Sequence, residues 1–268
     1  MFFLGIDIGS QSCDVVLIDA DKSVIADAIV PTGARNKEAI DRATSEVLRV
    51  SGISKDQVKA TVSTGYGRDR VENRLQSVTE ITCHACGIHH LIPETRILID
   101  IGGQDSKGIL LNSQGQVIDF AMNDKCAAGT GRFLEAMSRA LQVDIDELGE
   151  LDRGAQHKLE ISSMCTVFAE SEVVSLIANG KPVNEIVSGI HRAIATRTLP
   201  LIKRLTHNIN NFKIAMSGGV ARNKGVVSAI NYILDGVKVA VPESPDTVGA
   251  LGAALIAREK ASSRHSHL

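Results

Sequence analysis

The sequence predicts a two-lobed α/β protein, and three observations carry that prediction. A strand–turn–strand unit occurs twice, at an offset of 93 residues. Apolar segments with helical periodicity follow each copy. A third glycine-rich turn then closes a late strand. The chain has 268 residues, enough to bury a substantial core in one large domain or two small ones.

The duplication is the strongest signal. Ile6-Asp7-Ile8-Gly9-Ser10-Gln11 matches Ile99-Asp100-Ile101-Gly102-Gly103-Gln104, and eight of the twenty positions from 6 to 25 are identical in the second copy. Each copy reads as a strand, a glycine turn, a second strand and a polar turn into a third strand. The polar turns are Asp19-Ala20-Asp21-Lys22 and Asn112-Ser113-Gln114-Gly115. Glycine lets the backbone turn tightly and bring N–H groups against an anion. An Asp just before the glycine can hold a metal ion, or water on it, beside that anion. Two such hairpins facing one another would grip a nucleotide's phosphates. A purely structural hairpin used twice is the plainer alternative.

The remaining elements follow in order. An amphipathic helix is expected over 38–50 and a strand over 58–63. Helices are expected over 131–142, 165–179 and 183–205, and a strand over 213–216. That strand meets Ser217-Gly218-Gly219-Val220, where the backbone could approach the adenosine of a nucleotide. A last helix should begin near Asp246, a good N-cap after Pro245. The tail over 261–268 is polar and expected to fray. Its two histidines read as solvated.

Composition narrows the function. Hydrophobic residues are 44% and charged residues 22%, as in ordinary globular proteins. Lys and Arg number 29 against 31 Asp and Glu, which argues against a domain built to coat nucleic acid. With six Phe, two Tyr and no Trp, stacking platforms for single strands are also disfavoured. The apolar run 248–257 is far shorter than the ~20 residues a membrane span needs. No Lys or Arg precedes Lys22 and Asp7 interrupts the apolar start, so no signal peptide is read. The expectation is a cytoplasmic protein with no membrane partner, whose five cysteines point to metal or redox chemistry before disulfides.

Two of those cysteines stand out. Cys126 lies in Asn-Asp-Lys-Cys-Ala-Ala-Gly-Thr-Gly-Arg, just ahead of a helix, and Cys165 lies at the start of another. A helix N-terminus stabilises thiolate, or an anionic metal–sulfur cluster. Two thiolates are half of a four-cysteine site, and a two-fold homodimer would supply the other half. Two small buried cysteines are the alternative. Cys83-His84-Ala85-Cys86 also invites a metal reading, although packing on one helix explains it as well. Cys13 reads as a core residue.

The paired Asp-x-Gly hairpins and the late Gly-Gly turn resemble the actin, sugar kinase and heat-shock chaperone ATPase superfamily. That resemblance implies an actin-like, ribonuclease-H-like fold of two lobes closing on ATP and Mg2+. The lobes would be 1–95 plus 245–260, and 96–244, with a flexible tail over 261–268. The match narrows further. The segments Asp-Ile-Gly-Gly-Gln-Asp-Ser-Lys (100–107), 123–135 and Cys-Thr-Val-Phe-Ala-Glu-Ser-Glu-Val (165–173) resemble the activating ATPases of (R)-2-hydroxyacyl-CoA dehydratases. So do Ser-Thr-Gly-Tyr-Gly-Arg (63–68), Glu-Ile-Thr-Cys-His-Ala (80–85) and 249–255.

This closer resemblance runs from about residue 4 to 257. It implies an oxygen-sensitive homodimer with one 4Fe-4S cluster held by Cys126 and Cys165 of each subunit. ATP hydrolysis would drive an electron from ferredoxin or flavodoxin into a 2-hydroxyacyl-CoA dehydratase or a related iron–sulfur reductase. Gly9, Ser10, Gln11 and Ser12 would cradle phosphate on one side; Gly102, Gly103, Gln104 and Lys107 would do so on the other. Asp7, Asp100 and Gln104 become the candidate catalytic residues, the aspartates orienting Mg2+ and the attacking water. Gly218, Gly219 and Val220 would flank adenosine, with Asp246 nearby. One departure matters: the family usually has Lys where this chain has Asp14, whereas the second hairpin keeps Lys107. A small-molecule kinase, or a nucleotide switch without electron transfer, remains the competing reading; neither needs Cys126 or Cys165.

Overall fold

The computed structural model describes residues 1–156, 159–161 and 165–265. In chain order the elements are β1 (Phe2–Ile8), β2 (Ser12–Ile18), β3 (Val24–Pro31), α1 (Asn36–Ser51), β4 (Val58–Thr64), β5 (Gln76–Ser77), α2 (Glu80–Leu91), β6 (Thr95–Ile101), β7 (Ser106–Leu111), β8 (Val117–Asn123), α3 (Gly131–Leu141) and α4 (Leu148–Leu151). There follow α5 (Thr166–Ala178), α6 (Val183–Leu205), β9 (Lys213–Ser217), α7 (Lys224–Ile233) and α8 (Val248–His265). The helices and strands expected from periodicity are present, with ends shifted by a residue or two.

The chain divides into two compact units. The first comprises Met1–Thr95, Leu111–Ile118 and Pro242–Leu268. Its sheet has the order β3-β2-β1-β4-β5. Side chains alternate across the strands, so two separate cores form. On one face Leu4, Ile6, Val15 and Leu17 meet Ala39, Ile40, Ala43 and Val47 of α1. On the other, Phe3, Val16, Ile18 and Val62 meet Cys83 of α2 and Ala250, Ala253 and Ala254 of α8. The edge strand β3 alternates buried and exposed residues, as a half-solvated antiparallel strand does. Gly52, in the left-handed region at φ 69°, ends α1.

Backbones in this unit approach unusually closely through glycine. A Cβ on Gly252 would lie 1.8 Å from the Cys83 carbonyl oxygen, and one on Gly5 would lie 1.9 Å from that of Ala250. Neither obstacle is a flexible side chain. Gly252→Ala should therefore cost about 3 kcal/mol, the upper range for overpacking, and lower the thermal midpoint measured by calorimetry.

The second unit comprises Arg96–Leu110 and Asp119–Val241, with a sheet of order β8-β7-β6-β9. Ile97, Ile99 and Ile101 of β6 sit in one core with Phe133 and Met137 of α3, Ile190 and Ile194 of α6, and Ile214 and Met216 of β9.

Two boundaries differ from expectation. The turn at 111–118 groups with the first unit, where Gly115 packs so tightly on the His89 ring that a Cβ would lie 2.3 Å away. Also, α8 does not stop at 260 but continues to His265, with the Ser262 and Ser263 hydroxyls donating to the carbonyls of Arg258 and Glu259 one turn back. Residues 266–268, including His267, and Ser162-Ser163-Met164 before Cys165 lie outside the described residues.

Candidate nucleotide site and cysteine pair

The two hairpins agree in strand register and in the hydrogen bonds of their turns. In β1–β2 the cross-strand partners include Leu4↔Leu17, Asp7↔Asp14 and Ile8↔Cys13; in β6–β7 they are Ile97↔Leu110, Asp100↔Lys107 and Ile101↔Ser106, the same pairs 93 residues on. The Gly9 N–H donates to the Ser12 carbonyl at 2.8 Å, and the Gly102 N–H donates to the Asp105 carbonyl at 3.0 Å. The far turns agree as well. Asp19 Oδ1 accepts from the N–H groups of Asp21 and Ser23, as Asn112 Oδ1 does from Gln114 and Gln116.

Two buried threonines, which sequence reasoning missed, aim these turns. Thr32 donates its hydroxyl to the Gly9 carbonyl at 3.0 Å and its N–H to the Gln11 carbonyl at 2.8 Å. In the second turn the Gly102 carbonyl accepts from Gly131 N–H, and the Gly103 carbonyl accepts from Arg132 N–H and the Thr130 hydroxyl. In a trans peptide, C=O and N–H point opposite ways. Drawing these carbonyls inward therefore turns the N–H groups of Ser10, Ser12, Gly103 and Gln104 outward, as an anion cradle requires.

Each turn is preceded by a fixed carboxylate. Asp7 Oδ2 lies 3.6 Å from His84 Nε2. A Cβ on Gly65 would come within 2.4 Å of Asp7 Oδ1, and one on Gly249 within 2.1 Å of Oδ2. Two glycines and a histidine thus fix the Asp7 carboxylate. Asp100 Oδ1 accepts from the Ser217 hydroxyl at 2.8 Å, and Lys107 Nζ lies 3.6 Å from Asp100 Oδ2 and 2.6 Å from Asp105 Oδ2. Gly218, at φ 84°, packs on the same carboxylate. The late glycine turn and the second hairpin therefore meet at Asp100. Gln104 is exposed at the turn, whereas Val220 is buried in the core and could meet a ligand through its backbone alone.

The cysteines fall into two groups. Burial pushes the thiols of Cys13 and Cys83 up to about 12 and that of Cys86 to about 11. Cys126 and Cys165 are partly exposed, and both lie in the second unit. Cys165 takes the N-cap position of α5 in extended conformation, as expected. Cys126 does not sit at a helix start. Thr130 is the N-cap of α3, four residues on, and the first N–H groups of that helix are already given to Gly102 and Gly103. Cys126 instead lies on the loop before the cap, its carbonyl accepting from Asn123 Nδ2 at 3.3 Å.

The family model of the BadF/BadG/BcrA/BcrD ATPase family matches residues 4–257. The chain belongs to that family. It is 46% identical to the activator of lactoyl-CoA dehydratase of Anaerotignum propionicum, over 97% of this chain and 99% of that one. It is 40% identical to the (R)-2-hydroxyglutaryl-CoA dehydratase activating ATPase of Acidaminococcus fermentans, over 97% and 98% respectively. The solved structure of the activator of the 2-hydroxyisocaproyl-CoA dehydratase of Clostridium difficile, with bound ADPNP, superposes with a TM-score of 0.93 at 39% identity, covering 100% of this chain and 98% of that one. The fold is thus actin-like, and this ATPase binds ATP or ADP.

The two hairpins of this chain differ with consequence at Asp14. At the register position where Lys107 neutralises Asp100, Asp14 faces Asp7. Asp14 is buried, its Oδ2 accepts from the Ser12 hydroxyl at 3.1 Å, and its Oδ1 has no hydrogen-bond partner among the described residues. Burial, then Asp7, raises its carboxyl well above the ordinary 3.8; the Ser12 bond and His84 oppose this. The folded state thus keeps a proton that the unfolded chain releases. Stability is lost as pH rises from the unfolded value through the folded one. Asp14→Asn should flatten that decline: between pH 5 and 8, in chelator, the wild-type thermal midpoint should fall relative to the variant by at least ~2 °C. Asp14→Lys should restore the second hairpin's ion pair and tighten ADP binding about tenfold, roughly 1.4 kcal/mol by calorimetry. Unchanged or weaker affinity would sink that assignment.

Asp246 lies differently from expectation, whereas Cys83 and Cys86 pack as the plainer reading of their helix had it. Since α8 begins at Val248, Asp246 precedes the capping position, which falls to Thr247. Asp246 lies within electrostatic reach of Asp14, in the first unit, whereas the Gly218 turn is in the second. Cys83 and Cys86 are packing residues of α2 against α8.

Proposed function

We propose that this ATPase is an iron–sulfur activator that passes a low-potential electron to a partner enzyme at the expense of ATP. One observation carries the reading. Of five cysteines, the three with raised thiols are held in apolar surroundings, and the other two share a unit with the Asp100 phosphate turn. Two partly exposed thiols on a loop and a helix cap fit half of a four-thiolate site. Cys126 and Cys165 of two copies would hold one 4Fe-4S cluster, which when bound supplies one-electron chemistry at low potential.

A second copy is the partner the surface favours. Immediately after Cys165, α5 presents Val167 and Phe168, which are 65% and 66% exposed, with Val174 further along. Exposed apolar residues of this kind suit an isologous contact on a two-fold axis. At the phosphates, Asp7 and Asp100 would hold Mg2+ and orient the attacking water, since hydrolysis needs positioning and charge neutralisation. The names of the relatives favour a 2-hydroxyacyl-CoA dehydratase or a related reductase as electron acceptor; ferredoxin or flavodoxin would be the donor.

The test is reconstitution. The anaerobic, reduced protein is mixed with lactoyl-, 2-hydroxyisocaproyl- and (R)-2-hydroxyglutaryl-CoA dehydratases, with and without ATP. Dehydration by at least one, only with ATP, is the expected result. No activation of any, or activation that ignores ATP, contradicts the reading.

A further inference from the structure

Thr130 joins the phosphate turn to the cysteine loop. Its side chain is fully buried. Its hydroxyl lies 3.1 Å from the Gly103 carbonyl and 2.6 Å from the Ala127 carbonyl, and its N–H donates to Ala127 as well. Gly103 belongs to the turn proposed to receive phosphate, and Ala127 directly follows Cys126. One proton shared between two carbonyls makes the connection sensitive to either side. If phosphate draws the Gly103–Gln104 peptide outward, the hydroxyl shifts toward Ala127; if it releases that peptide, the hydroxyl is shared again.

The rest of this junction is stiff. Gly131 and Arg132 N–H groups hold the Gly102 and Gly103 carbonyls at 2.9 and 3.0 Å, so movement of the turn is carried into the start of α3. Gly129, at φ 88°, sits between Cys126 and the cap, where it packs on the Arg197 side chain of α6. The backbone from Ala127 to Thr130 is therefore bracketed at both ends, and the Thr130 hydroxyl is a side-chain link from it to the turn. No reading of spacing would single out this threonine, because the carbonyl it bonds is 27 residues away.

We infer that Thr130 is a positioning residue through which the nucleotide state of the Gly102–Gly103 turn reaches Cys126. This rests on the function proposed above. Of that function it needs the nucleotide turn but not the cluster, since it concerns only the placement of the cysteine loop. Thr130→Val removes the hydroxyl at constant shape, and both carbonyls keep a backbone donor, so the fold should survive. Thr130→Ala carries the same test if the valine variant does not fold. Thr130→Ser restores the donor.

The experiment uses the anaerobic full-length protein with ADP or a non-hydrolysable ATP analogue. It measures the rate at which a chelator removes iron, together with nucleotide affinity by calorimetry. In wild type the two nucleotides should give rates differing several-fold. In Thr130→Val that ratio should fall to within about twofold of unity, with nucleotide affinity changed by less than about threefold, and Thr130→Ser should recover it. A wild-type ratio near unity, or one that survives in Thr130→Val, overturns the inference. If the wild type holds no iron, the function proposed above fails instead. The same comparison is then read as the alkylation rate of Cys126, quantified by peptide mass. Equal nucleotide dependence in wild type and Thr130→Val would overturn the inference there too.

Discussion

Cys165→Ser should strip the protein of iron while leaving ADP affinity within about twofold. The serine oxygen is a poor match for a site that selects soft thiolates, and in a homodimer each substitution removes two ligands of four. Loss should therefore be complete, because a cluster does not persist on two thiolates. Cys126→Ser should behave alike despite its different backbone setting, on the loop rather than at a helix cap. Cys13→Ser, Cys83→Ser and Cys86→Ser should keep their iron, since those thiols pack in or against apolar cores of the first unit. Metal analysis of the five variants separates the two groups. Iron that survives Cys165→Ser refutes the ligand assignment.

The second large effect is on hydrolysis. Asp7→Asn and Asp100→Asn should each lower kcat for ATP by roughly 10²–10³-fold, the range for removing one preorganised electrostatic group. KM should move little, because the backbone turns proposed to receive phosphate are held by Thr32 and by the start of α3, not by the carboxylates. Gly249→Ala sharpens the test. It leaves Asp7 in place but puts a methyl group 2.1 Å from its Oδ2, so the carboxylate must move. A loss in kcat that approaches that of Asp7→Asn would mean that position, beyond charge, is what the site requires. If Gly249→Ala hydrolyses ATP normally at unchanged stability, Asp7 has no positional role.

Much of the fold was legible because the duplicated unit repeats the residues that set backbone geometry. Gly9 and Gly102 make the same turn, and Asp19 and Asn112 fold the same polar turn through the same side-chain oxygen. Helical periodicity likewise placed α5 and α6. What was not legible depends on distant backbone partners. Thr32 and Thr130 act on carbonyls 23 and 27 residues away, and no local pattern marks such a pairing. The setting of Cys126 was misjudged for a related reason. The α3 start lies where periodicity puts it, but the turn at Gly102 claims its free N–H groups. Asp246 resembled an N-cap because Asp after Pro is a strong local signal, yet helix α8 begins two residues beyond it. Cys126 and Cys165 stood out in the sequence by their places near helix starts, and the long family motifs around them strengthened the pairing.

The most direct test of an electron-transferring activator is iron, sulfide and native mass measured together on protein purified without oxygen. Four irons and four sulfides per mass of two chains are expected, with a visible absorption band that dithionite bleaches. A colourless, metal-free protein that still binds ATP tightly would contradict the activator reading and leave a kinase or a nucleotide switch in its place.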